Sequence, residues 1–284
     1  MALLIKVLLV ACLFFLAVPN VAGSHLGRNV SAQSKPVSIR ITGGGWGEGR
    51  LQDIERVLYS VASEILAYVP SRRQISIIVR HDEEGPMTLY EKGANGEFIV
   101  LLDVEDRRWA QYSYQFSHEL LHVLAMNEKV ARTSNQWFEE SLGEAASLFA
   151  LRRMAITWKT YPPYPNWKDY ARHLGEYAEQ NINESHRQLP SSMTFAEWFE
   201  ENETALRRNP YIREKNEVIA NQLLSLLERS PHSWEAVTYL NLSSSKSSQT
   251  FEEYLREWHL RSPSKHRRFI HEIADLFGAK VNFR

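Results

Sequence analysis

The chain has 284 residues, with 33 Lys and Arg against 34 Asp and Glu and a hydrophobic content of 44%. Such a balance suits a soluble globular protein and carries no polybasic footprint for nucleic acid. A single cysteine excludes a disulfide framework.

Residues 1–23 hold Lys6, an apolar stretch over 7–18, Pro19, and then Ala22, Gly23 and Ser24. This is a signal-peptide layout with cleavage near Gly23. The stretch is short for a membrane span, and an uncleaved anchor is the alternative. Leu9-Val10-Ala11-Cys12 superficially matches a lipoprotein box, but the apolar run continues beyond Cys12, which argues against lipidation. Removal of this segment takes the only cysteine with it, so the mature chain has no disulfide and no stable membrane span. The expected location is periplasmic or extracellular.

Residues 24–36 read as a polar linker, and 37–284 as one domain. Residues 37–42 alternate as a strand, and the glycine-rich 43–49 is a loop, since the dinucleotide spacing G-x-G-x-x-G is absent. Leu51, Ile54, Val57, Leu58, Val61 and Ile65 mark a helix over 51–69 that Pro70 ends. A β-branched strand follows at 75–80, then a turn-rich excursion over 81–96, then a strand at 98–102. This last strand is expected at the sheet edge, where an extended peptide could pair with it. Asp103 or Asp106 is the expected N-cap of the next helix.

That helix contains His118-Glu119-Leu120-Leu121-His122. Positions i and i+4 share one helix face, so both imidazoles can meet a single ion. Imidazole nitrogen suits zinc, and two helical histidines leave room for a third protein ligand and a water. Glu119 lies roughly 100° further round the helix. It can reach a zinc-bound water without ligating the metal, as a general base must. The surrounding Phe116, Leu120, Leu121, Val123, Leu124, Ala125 and Met126 imply a buried helix. Two histidines and a glutamate there are costly without partners or a metal.

A third ligand must come from another element. The extended pattern H-E-x-x-H-x-x-G-x-x-H fails, with Ala125 at the Gly position and Glu128 at the His position. Thr133 and Gln136 form a T-x-x-Q capping signal ahead of a helical run from Trp137 to Leu151. In it Glu140 and Glu144 are i,i+4 neighbours. One can bind the metal while the other orients a ligating histidine from behind. The competing reading of this run is an ordinary acidic amphipathic helix.

With Trp137-Phe138-Glu139-Glu140-Ser141-Leu142-Gly143-Glu144 beside H-E-L-L-H, the chain resembles the gluzincins, the zinc peptidases related to thermolysin and the zinc aminopeptidases. Their second motif is W-L-x-E-G-x-A-E. The resemblance implies one Zn2+ per chain held by His118, His122 and Glu140, with Glu119 catalytic and Glu144 behind the ligands. Ser141 stands where that motif has Gly, which leaves Glu139 in competition with Glu140. Glu140 is preferred because its i+4 partner is Glu144, whereas that of Glu139 is Gly143.

After Gly143 the pattern is mainly helical, with apolar periodicity at 195–199, 218–227, 234–240, 251–258 and 269–277, and a serine-rich loop at 243–248. Phe195-Ala-Glu-Trp, Leu223-Leu224 and Thr250-Phe251-Glu252-Glu253-Tyr254 with Trp258 resemble the helical tail of exported gluzincin-like proteins. The implied fold is α+β and zincin-like: a mixed sheet lobe with the metal helix (37–126), and a helical lobe (127–284) across a cleft. The implied activity is peptide-bond hydrolysis on peptide or protein substrates, with binding loops within 157–188. The alternative is a non-catalytic relative that uses zinc as a clamp or its cleft for a partner. Gluzincins also use a Tyr or His to stabilise the oxyanion. Tyr211, His173, Tyr170 and Tyr177 are the candidates.

Overall fold

The computed structural model describes residues 37–70, 74–126, 133–242 and 249–283. The signal segment, the linker, Glu128 and the serine-rich loop lie outside the described residues.

The first half is a β-α-β unit with two added strands. Strand β1 (Val37–Thr42) pairs parallel with β2 (Ile75–His81), and α1 (Leu51–Leu66) connects them. Ile54, Val57, Leu58, Val61 and Ile65 are all buried, as their spacing predicts. Helix α1 ends at Leu66, three residues short of the expected boundary. Strand β4 (Phe98–Leu102) lies parallel to β2 on one side and antiparallel to β3 (Met87–Lys92) on the other, giving the order β1-β2-β4-β3.

Two sequence expectations fail here. The strand at 98–102 is interior, with Ile99, Val100, Leu101 and Leu102 buried. Burial on both faces is what a continuous apolar run signals, and it should have argued against an edge. The edge is β3, inside the stretch read as turns. Thr88, Leu89 and Tyr90 carry strand propensity, but Gly85, Pro86, Gly93 and Gly96 flank them closely and masked it.

Helix α2 (Trp109–Ala125) carries the histidines, and α3 (Gln136–Thr157) packs against it. Tyr114 meets Ser147, His118 meets Glu144 and Glu140, and His122 meets Glu139, so the two helices run antiparallel. Neither expected cap forms. Arg108 precedes α2 without a side-chain cap, while Asp106, at φ 62°, accepts from the Glu48 amide and anchors the glycine loop. Asn135 precedes α3, and its side-chain amide donates to the carbonyl of Gln249.

Among the described residues the remaining α-helices are α4 (Tyr170–Ile182), α5 (Phe195–Arg208), α6 (Arg213–Arg229), α7 (Phe251–Arg261) and α8 (Ser264–Leu276), and Pro231–Tyr239 is a 3-10 helix. Capping boxes start α5 (Thr194 with Glu197) and α7 (Thr250 with Glu253). Trp137 and Phe138, both fully buried, pack with Phe199, Phe251 and Phe277 and fasten the start of α3 to the helical tail. The fold is mixed α+β. Among the described residues no helix is long and apolar enough to cross a membrane.

Candidate metal centre

The α2–α3 contact is tight where it matters. Gly143 faces His118, and a Cβ at that position would stand 2.8 Å from His118 Cε1. The missing side chain therefore lets the imidazole lie between the helices. Ser147 ties them one turn further along, its hydroxyl donating to the Tyr114 carbonyl at 2.7 Å.

His118 Nε2 lies 3.4 Å and His122 Nε2 3.7 Å from one atom, Glu140 Oε2. The three residues offer ligand atoms within 4.8 Å of one another. The other ring nitrogens face carboxylates: His118 Nδ1 is 3.5 Å from Glu144 Oε1, and His122 Nδ1 is 2.7 Å from Glu139 Oε1. With protons on Nδ1, each imidazole donates backwards to a carboxylate and turns a bare Nε2 towards Glu140. That is the orientation a metal-ligating histidine takes.

Glu139 is thus a partner of His122, a role that helix spacing does not reveal, because it depends on how α2 and α3 pack. Asn241 holds it, donating to Glu139 Oε2 at 2.6 Å, and Tyr254 in turn donates to Asn241. Glu144 accepts from the Tyr114 hydroxyl, which itself accepts from Arg187 at 2.9 Å. Arg187 is 1% exposed and pairs with Glu217 at 2.6 Å. No sequence signal links these four residues, since they come from α2, α3, α6 and the turn after α4.

Burial opposes a charged His118, but hydrogen bonds to Glu140 and Glu144 outweigh it and raise its pKa to about 9. His122 is likewise disfavoured as a cation by burial, yet Glu139 and Glu140 lift it well above the ordinary imidazole range. Burial alone would raise Glu140, but the two imidazoles hold its carboxyl far below the usual carboxylate range. The cluster therefore selects for positive charge at its centre. A donor set of two imidazole nitrogens and one carboxylate oxygen, with carboxylates behind both rings, fits a zinc ion.

Glu119 is buried on the same helix, and Thr88 of the edge strand donates to its Oε2 at 2.8 Å. These residues line one cleft of about 840 Å³, bordered by β3, the start of α2, the start of α6 and Leu240 and Asn241. Tyr211 and Tyr177 also line it. The Tyr211 hydroxyl accepts from Gln136 at 2.8 Å. Tyr170 instead packs its hydroxyl against the Ala110 amide, and His173 pairs with Glu176 on an exposed face of α4, neither of them lining the cleft.

No protein-family model, curated protein or solved structure matches this chain.

Proposed function

We propose that the chain is an exported zinc-dependent metallopeptidase of the gluzincin type, with a two-lobed zincin-like layout around its cleft. One arrangement carries the reading. Both Nε2 atoms are turned to Glu140 Oε2, both Nδ1 atoms are backed by carboxylates, and Glu119 opens onto the same cleft. A structural clamp has no use for a buried glutamate at that position.

Zinc held by His118, His122 and Glu140 would polarise a scissile carbonyl and acidify a water molecule. Glu119 accepts the proton of the attacking water and delivers it to the leaving amine. Thr88 fixes the Glu119 carboxylate through one oxygen, and the other makes no hydrogen bond among the described residues. As the outermost strand of the sheet, β3 is where an extended peptide would add by backbone pairing.

The test pairs metal analysis with cleavage of a broad peptide library. The parent should hold one zinc per chain and cut peptides. Glu119→Gln should keep the zinc and lose ~10²–10⁴-fold in cleavage, the usual contribution of a positioned base. A zinc-loaded parent that cuts nothing while a partner occupies its cleft would return the chain to the non-catalytic reading.

A further inference from the structure

Arg213, the first residue of α6, lines the cleft with a side chain that is 70% exposed. Its Nε donates to Glu217 Oε1 at 2.9 Å, and its two terminal nitrogens make no hydrogen bond among the described residues. Glu217 is 4% exposed and held from other directions, by Arg187 at 2.6 Å on the same oxygen and by His186 at 2.5 Å on the other. Arg187 continues through Tyr114 to Glu144. The guanidinium is thus fixed along one edge by a buried charged scaffold. Its other edge, a planar fork suited to bidentate carboxylate binding, is left to the cleft. A fork ordered in advance loses less freedom when it binds.

The strand edge gives this cation a direction. Strand β3 runs beside α2 in the same sense, with Thr88 against Glu119 and Lys92 Nζ 3.6 Å from Met126 Sδ. An extended peptide added antiparallel, the commoner pairing, has its C-terminal part at the Met87 end. Arg213 belongs to that end, because its scaffold reaches α2 at Tyr114, more than a turn before Glu119. Arg108, at the start of α2, borders the same end. The acid there, Asp103, is engaged by the Gln115 side chain.

We infer that Arg213 binds a substrate carboxylate on the C-terminal side of the scissile bond, supplied by the peptide's own C-terminus or by an acidic side chain. This rests on reading the cleft as a peptide site. The test uses pools of N-acetylated tetrapeptides captured on immobilised Glu119→Gln protein, so that nothing is cut, with mass-spectrometric readout. One pool has free C-termini, a second is the same pool amidated, and two further amidated pools end in Glu or Gln. The free-acid or the Glu pool should be enriched about tenfold or more over its neutral counterpart, as a charge-assisted bidentate contact implies. Adding Arg213→Met should abolish that preference while leaving amide binding unchanged, and Arg213→Lys should retain part of it. Enrichment of free acids identifies the terminal carboxylate, and enrichment of Glu over Gln identifies the side chain. No enrichment in either comparison, or enrichment that survives Arg213→Met, overturns the assignment. Enrichment on Glu119→Gln, together with a zinc-loaded parent that cuts none of the same peptides, would sink the peptidase reading and leave this one standing.

Discussion

His118, His122 and Glu140 bring one ligand atom each within 4.8 Å of one another, and so do Glu184, His186 and Glu217. The two clusters differ in what faces their carboxylates. Glu217 accepts from Arg187 and Arg213, and Glu184 pairs with Arg187 at 3.4 Å, so guanidinium groups already supply the positive charge. Among the described residues the α2–α3 cluster has guanidinium groups only on its Glu144 side, Arg187 at 3.8 Å and Arg213 acting from further away, and none pairs with Glu139 or Glu140. Four carboxylates (Glu119, Glu139, Glu140 and Glu144) there surround two imidazoles. Distance between ligand atoms therefore does not distinguish a metal site from an ion-pair network; the balance of fixed charge does.

The sharpest way to break this contrast is metal content. His118→Ala should lose all bound zinc, and His186→Ala should lose none. Metal analysis of the two variants decides it, and zinc loss in His186→Ala would put the ion in the wrong cluster.

Stability should respond in the opposite sense. Arg187→Met takes the nearest guanidinium from buried Glu217 and one donor from the Tyr114 hydroxyl, which keeps Glu144. Breaking such a pair costs about 3–5 kcal/mol, nearer the lower figure here because Arg213 still reaches Glu217. Denaturant unfolding in chelator would measure it, and an unchanged midpoint would remove the network's structural role.

Smaller effects separate the residues behind the ligands. Glu144→Ala and Glu139→Ala should each weaken zinc binding ~10–100-fold, whereas Glu184→Ala should leave it unchanged. Gly143→Ala should weaken zinc binding several-fold, despite the roughly 1 kcal/mol that Ala gains over Gly in a helix, because its methyl must displace the His118 ring. Equal zinc affinity in Gly143→Ala and the parent would mean that the helices spread without cost.

The mildest test is pH. In metal-free protein the pKa of His118 is raised to about 9, so its contribution to stability is complete below about 6.5 and fades as pH rises through 9. The Glu140 pKa is lowered, so its contribution is complete above 4.5 and lost on acidification. Thermal unfolding in chelator should therefore be highest between about 4.5 and 6.5 and decline towards 9. Zinc affinity should climb over the same rise, since zinc must displace protons from the histidines. A flat unfolding profile would mean that the imidazoles gain nothing from their carboxylate partners.

Local spacing made part of this legible in the sequence. His122 lies four positions after His118, which sets both rings on one helix face whatever the rest of the chain does. The same periodicity put Glu140 and Glu144 together on the following helix and buried Ile54, Val57 and Val61 on α1. The α+β class was readable from alternating and helical segments in succession. Tertiary packing decided the rest, because it joins residues that no local period relates. Thr88 reaches Glu119 across 31 positions, and Asn241 reaches Glu139 across 102. The edge position of β3 depends on which strands β4 finds on its two sides. The use of Glu139 depends on antiparallel packing of α2 and α3, which sets it against His122 while Gly143 makes room for His118. Arg187 and Glu217 acquire their partners only when α2, α3, α6 and the turn after α4 close around them, where burial makes each unpaired charge too costly to keep.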